Sequence, residues 1–409
     1  MAEAFIFDAI RTPRGKGRPA KEGRAGGALS TVSPHQLVAG LVEALGTRTS
    51  PDILQNIDSF TLGCVGQVGA QGGHIALISR LASNLPDRVP VKTLNNYCVS
   101  GLTATMDGAL KVQSGKESLA LVGGVESLSH VPFLADKASY YSDPKMVQTL
   151  RYAPPIMGAE LVATLEGYAK EDLDSLTLTS HHRAAQAWAE GVYDSSVVPV
   201  TDDAGNVLLE QDELIRPELT LEQLEAMPPA FASQGALGYD DMMLAAHPEL
   251  EEITHIHSIA NCPGMADGAS LILLGCEQSG QDFGLTPLAK IIDFVEIGAD
   301  PVLQLTAGFA AMEKLLARQH LTLFDIDRIE FMEAFAAIPL TFLRNYDVDP
   351  AKVNVNGGHL AMGHPMGATG GILLTTLTHE LQRCNGTLGL VVAQAGSGIG
   401  SALLIERMN

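Results

Sequence analysis

The sequence predicts an α/β protein built from two related halves with a third lobe inserted between them. Helix, strand and loop patterns recur at an offset of about 270 positions, which indicates an internal repeat. Wholly apolar strands (118–124 and 388–396) suit a central sheet covered by helices on both faces. The segment between the two related ends differs from them in composition. The expected units are therefore an N-terminal half (1–126), an inserted lobe (127–256) and a C-terminal half (257–409).

The first half opens with PHQLVAGLVEAL (34–45), whose apolar spacing predicts a helix, followed by a strand-like segment at 57–62. The loop TLNNYCVSG then enters a helix rich in small residues and leads into the apolar strand. The second half repeats this order, with a helix at 307–316, a strand at 329–332 and a glycine-rich loop at 353–371.

The intervening segment combines helix-type periodicity (171–190) with an acidic, turn-rich tract (201–213). Inserted lobes of this kind commonly cover an active site. We therefore expect functional residues where this lobe meets the two halves.

Charge and cysteine content exclude several classes of function. The 409 residues include 26 basic and 47 acidic side chains, a net charge of −21, which argues against nucleic acid or an anionic membrane as a partner. Five widely spaced cysteines without a Cys-x-x-Cys pair argue against a disulfide framework or a metal site. Without a leader-like start or a long apolar run, we expect a cytoplasmic protein with no membrane insertion.

Cys98 is the first candidate for chemistry because of its position. It lies between the polar turn Asn95-Asn96 and the small-residue run 100–110, so its thiol is expected at a helix N-terminus, where the dipole favours thiolate. The alternative interpretation of Cys98, as of any single cysteine, is a buried residue with a structural role.

His364 occupies the equivalent loop of the second half, GGHLAMGHPMGATGG (357–371). A Gly-His-Pro tripeptide in a glycine-dense loop indicates close backbone approach to a ligand, with the ring held by Pro365. A lone histidine is more often a satisfied polar residue, but pairing with Cys98 across the repeat favours a nucleophile and its base. His359, five residues earlier, stays open as an alternative base.

The tail GSGIG (396–400) superficially matches a dinucleotide loop, but a strand-like segment follows it, so the phosphate cradle is absent. A tight turn that offers backbone N–H groups to a developing oxyanion is the better interpretation. The basic run 11–24 could meet an anionic ligand, although a solvated or oligomer-contacting arm is expected.

Eight segments stand in order along essentially the whole chain: AIRTP (9–13), NNYCVSG (95–101), LVGGVESLSHVPF (121–133), MGAE (157–160), MADGAS (265–270), MEAF (332–335), GGHLAMGHPMGATGG (357–371) and GSGIGSALLIER (396–407). In this order they resemble the thiolases, the acetyl-CoA C-acyltransferases. The resemblance implies a five-layer αβαβα fold of two duplicated halves, a loop lobe that holds coenzyme A, and assembly as a homodimer or homotetramer.

The resemblance also implies roles for individual residues. Cys98 would take the acyl group as a thioester, His364 would activate it, and the backbone N–H groups of Cys98 and Gly396 would form an oxyanion hole. The coenzyme-contacting positions would include Met157, Pro263 and Phe335. Coenzyme A would arrive as the substrate thioester, with no tightly bound cofactor.

The sequence departs from the thiolase pattern at four functional positions. Gln394 stands where a second cysteine would move the proton of the carbon acid, and an amide cannot exchange a proton near neutral pH. Met332 replaces an asparagine of the other oxyanion hole. Pro263 replaces a common serine, and Pro228 replaces a basic residue, on the expected coenzyme surface.

The leading hypothesis is a thiolase-type acyltransferase that acts on acyl-CoA or 3-ketoacyl-CoA by ping-pong thiolysis or Claisen condensation. The second hypothesis, motivated by Gln394 and Met332, is a condensing or acyl-transfer enzyme that lacks the carbon-acid step. The third is a catalytically weak scaffold subunit, motivated by the lost coenzyme contacts.

Overall fold

The computed structural model describes residues 2–408. Within these residues the backbone forms the following strands: β1 (Ala4–Arg11), β2 (Gly15–Lys16), β3 (Ser59–Gly63), β4 (Val91–Leu94), β5 (Leu119–Ser127), β6 (Val200–Thr201), β7 (Val207–Leu209), β8 (Ala266–Gly275), β9 (Ala289–Gly298), β10 (Arg328–Phe331), β11 (Leu388–Ala395) and β12 (Ile399–Arg407).

The same residues form these α-helices: α1 (Pro34–Arg48), α2 (Pro51–Leu54), α3 (Ile75–Leu81), α4 (Ser100–Gln113), α5 (Ser139–Ser142), α6 (Pro144–Thr149), α7 (Pro155–Glu166), α8 (Lys170–Ala189), α9 (Leu221–Glu225), α10 (Ala232–Gln234), α11 (Asp240–Ala246), α12 (Glu277–Phe283), α13 (Ala307–Gln319), α14 (Ala337–Asn345), α15 (His359–Met362) and α16 (Thr369–Cys384).

One continuous sheet runs through both halves of the chain, in the order β10-β11-β12-β9-β1-β8-β5-β3-β4. Strand β1 joins two arms of this sheet, because it pairs antiparallel with β8 along Phe5–Arg11 and with β9 along Ala4–Ile6. The first arm comprises β1, β8, β5, β3 and β4, and the second arm comprises β9, β12, β11 and β10. The short hairpin β6-β7 lies outside this sheet.

Helices cover both faces of each arm. Helices α1 and α3 pack on the outer face of the first arm, α13 packs on the second arm, and α4 and α16 lie between the two arms. The side chains of β1 alternate accordingly, since Phe5 and Phe7 join the core under α1, whereas Ala4 and Ile6 join the core that contains α4 and α16. This arrangement confirms the five-layer αβαβα fold.

The predicted repeat is present at the level of elements. The helix expected at 34–45 is α1, and its counterpart expected at 307–316 is α13. The apolar strands expected at 118–124 and 388–396 are β5 and β11, and both are almost wholly buried. Each half therefore contains a buried strand that follows a helix between the arms, β5 after α4 and β11 after α16.

Glycines let α4 and α16 approach each other closely at their N-terminal ends. A Cβ on Gly101 would lie 2.9 Å from the backbone nitrogen of Gly371, and a Cβ on Gly370 would lie 2.5 Å from the backbone nitrogen of Leu102. The loops that enter these two helices, which carry Cys98 and His364, are therefore brought together by helix packing.

The segment between β5 and β8 folds into helices α5 to α11 and the hairpin β6-β7. The helix expected at 171–190 is α8, and the acidic tract at 201–213 contains the hairpin turn, where Asp202 accepts from the backbone N–H groups of Ala204 and Asn206. Tyr140 of α5 reaches the turn that follows β11, where its hydroxyl lies 2.8 Å from Ser397 Oγ. The inserted segment thus contacts the C-terminal half directly.

The expectation that the basic run 11–24 is a solvated arm is wrong for its first part. Arg11 and Arg14 are buried, and Arg11 makes a bidentate pair with the buried Asp212 at 2.8 and 2.9 Å. Burial of an arginine requires a paired carboxylate, and the inserted segment supplies it. The end of the run, around Lys21 and Arg24, is exposed.

Candidate active site

A tight turn presents Cys98 immediately before α4. The side chain of Asn95 accepts from the backbone N–H of Tyr97 at 2.9 Å, and Ser100 Oγ accepts from the N–H of Asn96 at 2.8 Å. Tyr97 adopts a left-handed conformation with φ of 49°. Short polar side chains therefore fix the turn, as the NNYCVSG segment led us to expect.

The electrostatic surroundings of Cys98 differ from the expectation of a stabilised thiolate. Burial and, to a smaller extent, the nearby Glu126 carboxylate together raise the pKa of the Cys98 thiol to about 12, against the opposing effect of a backbone hydrogen bond. The expectation from the helix dipole fails because desolvation of the sulfur outweighs it. Cys98 is thus a neutral thiol at rest and needs a base.

His364 is held as a neutral imidazole. Its backbone N–H donates to the carbonyl of Gly264 at 2.8 Å, and its Nδ1 lies 2.8 Å from Thr369 Oγ1. Because the Thr369 hydroxyl donates to the carbonyl of Pro365, it accepts from Nδ1, which leaves the lone pair on Nε2. Burial lowers the pKa of His364 to about 4, with a further contribution from the charge of Arg14.

His359, the alternative base, packs edge-on against the ring of His364, with ring centroids 5.5 Å apart. It is fully buried, and neither ring nitrogen has a hydrogen-bond partner among the described residues. Burial holds its pKa well below the ordinary value. With no group positioned to orient its ring, His359 is less suited than His364 to accept a proton.

Glu126, at the end of β5, ties the segment that follows β3 to the His364 loop, although the sequence did not single it out. Its carboxylate accepts from the backbone N–H groups of Val65, Gly66 and Gly367 at 2.9 to 3.0 Å and from Gln71. Burial raises the pKa of Glu126 above its ordinary value, although each of these hydrogen bonds favours the ionised form and lowers it. The only signal in the sequence was an acidic residue inside an apolar strand, because its partners come from two distant segments, 65–71 and the loop at Gly367.

The GSGIG tail forms a tight turn between β11 and β12, with Ser397 left-handed at φ of 64°. The Ser397 N–H donates to Gln304 Oε1 at 3.2 Å. Gly396 and Cys98 both line the same cavity. The turn therefore brings backbone groups of the C-terminal half to the cavity that Cys98 faces.

Gln394 is buried in β11 and does not line this cavity. Its Nε2 donates to the backbone carbonyl of Met332 at 2.6 Å, and its Oε1, which faces Gly308, has no partner among the described residues. Met332 is fully buried. Gln394 and Met332, the two positions where the resemblance led us to expect a cysteine and an asparagine, thus contact each other.

The three expected coenzyme-contacting residues lie outside the lining of the Cys98 cavity. Met157 is fully buried in α7, which begins beside the cavity at Pro155. Phe335 is left-handed at φ of 64° and packs edge-on against His257, and Pro263 follows the segment whose Asn261 carbonyl accepts from the N–H of Ala336. The bond between Asn261 and Ala336 therefore places Pro263 and Phe335 in neighbouring segments, and neither residue lines the cavity.

The cavity itself has a volume of about 280 Å³. Besides Cys98 and Gly396, it is lined by residues the sequence did not indicate, among them Tyr97, Tyr140, Tyr152 and Gln304. These residues come from three separate stretches of the chain and share no periodic pattern, so only the tertiary structure identifies them as lining residues.

Two further features bear on the type of site. Among residues 2–408, no group of three or more His, Cys, Asp or Glu side chains is placed to hold a metal ion. In the same range, none of the helices combines the length and apolar character needed to cross a bilayer.

Comparison with protein families gives two matches along the chain. The family described as thiolase, N-terminal domain, matches residues 5–241. The family described as thiolase, C-terminal domain, matches residues 285–407.

Individual proteins are similar over the full length. The chain is 35% identical to a 3-oxoadipyl-CoA/3-oxo-5,6-dehydrosuberyl-CoA thiolase of Escherichia coli, covering 100% of both chains. It is 33% identical to the steroid 3-ketoacyl-CoA thiolase FadA6 of Mycobacterium tuberculosis, covering 100% of this chain and 95% of that protein. Among solved structures, the acetyl-CoA acetyltransferase of Bacillus anthracis superposes with a TM-score of 0.83 at 29% identity, covering 100% of this chain and 99% of that one.

Proposed function

The chain belongs to the thiolase family and is a thiolase-type acyltransferase, and from that premise we propose that Cys98 and His364 carry its chemistry. The observation that supports this assignment best is the contact between the N-terminal ends of α4 and α16, which brings the two loops together. The neutral thiol and the neutral imidazole are the protonation states from which general-base catalysis starts.

In the first half-reaction, His364 Nε2 takes the proton of the Cys98 thiol as the sulfur attacks the carbonyl carbon of the substrate. The backbone N–H groups of Cys98 and Gly396 stabilise the oxyanion that forms on the carbonyl oxygen. Collapse of this intermediate expels the leaving group, which takes the proton from His364, and leaves an S-acyl Cys98. In the second half-reaction the acyl group passes to an acceptor.

We assign Gln394 to the position of the acid that serves the carbon–carbon step. An amide held by the Met332 carbonyl supplies a fixed dipole, not an exchangeable proton. Acylation of Cys98 by an acyl-CoA expels the thiolate of coenzyme A and does not require that acid. With a 3-ketoacyl-CoA the leaving group is the carbanion of acetyl-CoA, and its proton comes from His364 in this proposal. The half-reaction through Cys98 is therefore the part of the chemistry that these residues support most directly.

The proposed substrates are acyl-CoA and 3-ketoacyl-CoA thioesters, consistent with the substrates that the names of the similar thiolases state. Coenzyme A enters as part of the substrate, along Met157, Pro263 and Phe335, and no cofactor is held tightly. We further propose a cytoplasmic homodimer or homotetramer, with units at 1–126, 127–256 and 257–409. The net charge of −21 supports a role without nucleic acid or membrane partners.

Intact mass spectrometry after incubation with a series of 3-ketoacyl-CoAs tests this assignment. The wild-type protein is expected to gain one acyl group on Cys98, with release of acetyl-CoA, and Cys98→Ala is expected to gain none. His364→Ala is expected to acylate about 10²–10⁴-fold more slowly, the usual contribution of a general base. Equal adduct formation by the wild type and folded Cys98→Ala would overturn the proposal.

A further inference from the structure

A second cavity opens where α16 meets the turn that follows α8. Its volume is about 1060 Å³, and its lining shares no residue with the Cys98 cavity. Two of the lining residues, Ser195 and His379, contact each other, with Ser195 Oγ 3.0 Å from His379 Nδ1. Neither residue takes part in the chemistry proposed for Cys98 and His364.

Hydrogen bonds fix the positions of the protons in this pair. The second ring nitrogen of His379, Nε2, lies 2.8 Å from the backbone carbonyl of Ala9. Because a carbonyl oxygen only accepts, Nε2 carries the proton of the neutral ring, and the lone pair of Nδ1 points toward Ser195. The hydroxyl of Ser195 therefore donates to Nδ1, which is the arrangement of a nucleophile and its base with a third group that orients the base.

Burial keeps His379 in the neutral form that a base requires. It lowers the pKa of His379 below its ordinary value, and the charge of Arg48 acts in the same direction, whereas the hydrogen bond to Ala9 and the charge of Asp8 partly oppose them. The imidazole is therefore unprotonated at neutral pH and is able to take the proton of the serine hydroxyl.

Ser195 is accessible, as a nucleophile must be. It is exposed on the turn that follows α8, so a molecule in the cavity can reach its hydroxyl. Its backbone N–H donates to no backbone carbonyl within residues 2–408. An N–H group beside the attacking oxygen is suited to stabilise the oxyanion that forms on an attacked carbonyl. The turn thus supplies both the nucleophile and a donor for the oxyanion.

The charges around the pair favour an uncharged substrate. Both arginines of the lining are paired with carboxylates, Arg48 with Asp8 at 2.7 Å and Arg383 with Glu380 at 2.8 Å. Asp194, next to Ser195 in the chain, adds a negative charge to the lining. An anionic ester would therefore meet like charge while the nearby cations are already engaged.

The lining also contains apolar side chains. Four of them are partly buried and border the same cavity as the pair: Val192, Phe283, Leu285 and Leu288. Side chains of this kind gain free energy by covering an apolar group of a ligand. The cavity therefore suits a small uncharged ester with an apolar acyl group.

We propose that Ser195 and His379 form a second nucleophilic site, which hydrolyses small uncharged carboxylic esters through an acyl-Ser195 intermediate. Ser195 Oγ bonds to the ester carbonyl carbon as its proton passes to His379 Nδ1, and the alcohol leaves with that proton when its bond to the carbon breaks. Water then adds to the acyl carbon and gives a proton to Nδ1. The bond to Oγ breaks, Oγ recovers the proton, and the carboxylic acid is released. This activity is independent of the chemistry proposed for Cys98.

Hydrolysis of p-nitrophenyl acetate tests the proposal in a Cys98→Ala background, which removes the thiol of the other site. Adding Ser195→Ala is expected to abolish the hydrolysis, and adding His379→Gln is expected to slow it by about 10²–10⁴-fold, the usual contribution of a general base. Ser114→Ala is the matched control, because it removes an exposed hydroxyl that donates to the carbonyl of Lys111 at 2.8 Å, and the rate should not change.

Two further probes locate the nucleophile and define the substrate. Diisopropyl fluorophosphate, followed by peptide mass, is expected to add one phosphoryl group, on Ser195. The p-nitrophenyl monoester of succinic acid, which carries a carboxylate, is expected to react more slowly than the acetate by about tenfold or more, after each rate is divided by that of the uncatalysed reaction.

Each part of the proposal has its own contrary result. Equal hydrolysis with and without Ser195→Ala, or labelling on other serines instead, would overturn the site, and this exposed position makes the variant a mild one for folding. An unchanged rate in folded His379→Gln would overturn the role of the histidine as base. Equal corrected rates for the two esters would overturn the preference for uncharged substrates.

Discussion

Arg14 connects the N-terminal strand region to the loop of His364, the proposed base, through a single backbone carbonyl. Its Nη1 donates to the carbonyl of Gly363, the residue before His364, at 3.0 Å, and its own backbone N–H donates to Asp212. Gly363 has φ of 89°, and a Cβ there would lie 2.5 Å from Leu214, so the loop at this point requires glycine. The guanidinium thus both holds the loop and places a positive charge near the imidazole.

Removing that charge is expected to change the pH dependence of Cys98 reactivity. After burial, Arg14 is the second cause of the lowered pKa of His364, so in Arg14→Met this pKa should rise from about 4 toward its ordinary value. His364 acts as a base only when neutral, so the acidic loss of reactivity should begin at higher pH.

The measurement is the rate of Cys98 alkylation by iodoacetamide between about pH 4 and 8, with the modified cysteine identified by peptide mass. Arg14→Lys, which keeps a charge, is expected to stay closer to the wild type. An acidic limb at the same pH in all three proteins would contradict the electrostatic role of Arg14.

At the level of elements, the position of the site depends on how closely α4 and α16 pack. Cys98 and His364 each stand just before one of these helices, and glycines at the contact let the two backbones meet. The helices are long and their sequence signals were clear. However, the sequence of neither helix by itself predicts how closely α4 and α16 pack against each other.

Gly370→Ala is expected to destabilise the protein by ~1–3 kcal/mol through overpacking, because the new methyl would lie 2.5 Å from the backbone nitrogen of Leu102. Gly40→Ala is the matched control, since Gly40 is exposed in α1 with nothing within 4 Å of the new methyl. This variant should stabilise by up to ~1 kcal/mol through helix propensity.

Thermal unfolding of both variants provides the comparison, with the acylation rate of Cys98 as a second readout. Gly370→Ala should lose acylation as well as stability, because it separates the two loops. Equal melting temperatures for the two variants would show that the helices do not need the glycine contact.

At the scale of the whole molecule, a buried charge cluster joins the inserted segment to the N-terminal half. Asp212 accepts from Arg11, from the backbone N–H of Arg14 and from Trp188 Nε1 at 3.2 Å, and the ring of Tyr193 lies 4.9 Å from the Arg11 guanidinium. Although burial opposes ionisation, the charges of Arg11 and Arg14 lower the pKa of Asp212. The cluster therefore holds the inserted segment in place as an ionised unit.

Asp212→Ala is expected to lower the free energy of unfolding by ~3–5 kcal/mol, because it leaves two buried arginines without a carboxylate. Asp293→Ala is the control. Asp293 pairs with the half-exposed Arg318, and such surface pairs contribute ~0–1 kcal/mol. Unfolding monitored in urea distinguishes the two variants.

A similarly small effect in both variants would contradict the structural role of the cluster. Because the pKa of Asp212 is lowered in the folded state, its contribution is present above the unfolded pKa and is lost as pH falls through the folded value. The difference between the wild type and Asp212→Ala should therefore narrow in acid.

The sequence by itself determined the α/β class, the two related halves, the main helices and buried strands, and the identities of Cys98 and His364 as candidates. These follow from local signals, because periodicity, glycine content and turn residues act within a few positions of the chain. The turn at Gly396 was predicted for the same reason.

Only the tertiary structure decided the protonation states and the lining of the site. The thiol of Cys98 was expected as a thiolate from its place before α4, but burial among residues distant in sequence raises its pKa instead. Glu126 and the buried Arg14 gain their roles from partners in other segments. Desolvation and long-range hydrogen bonding depend on which segments pack together, and no local pattern encodes that.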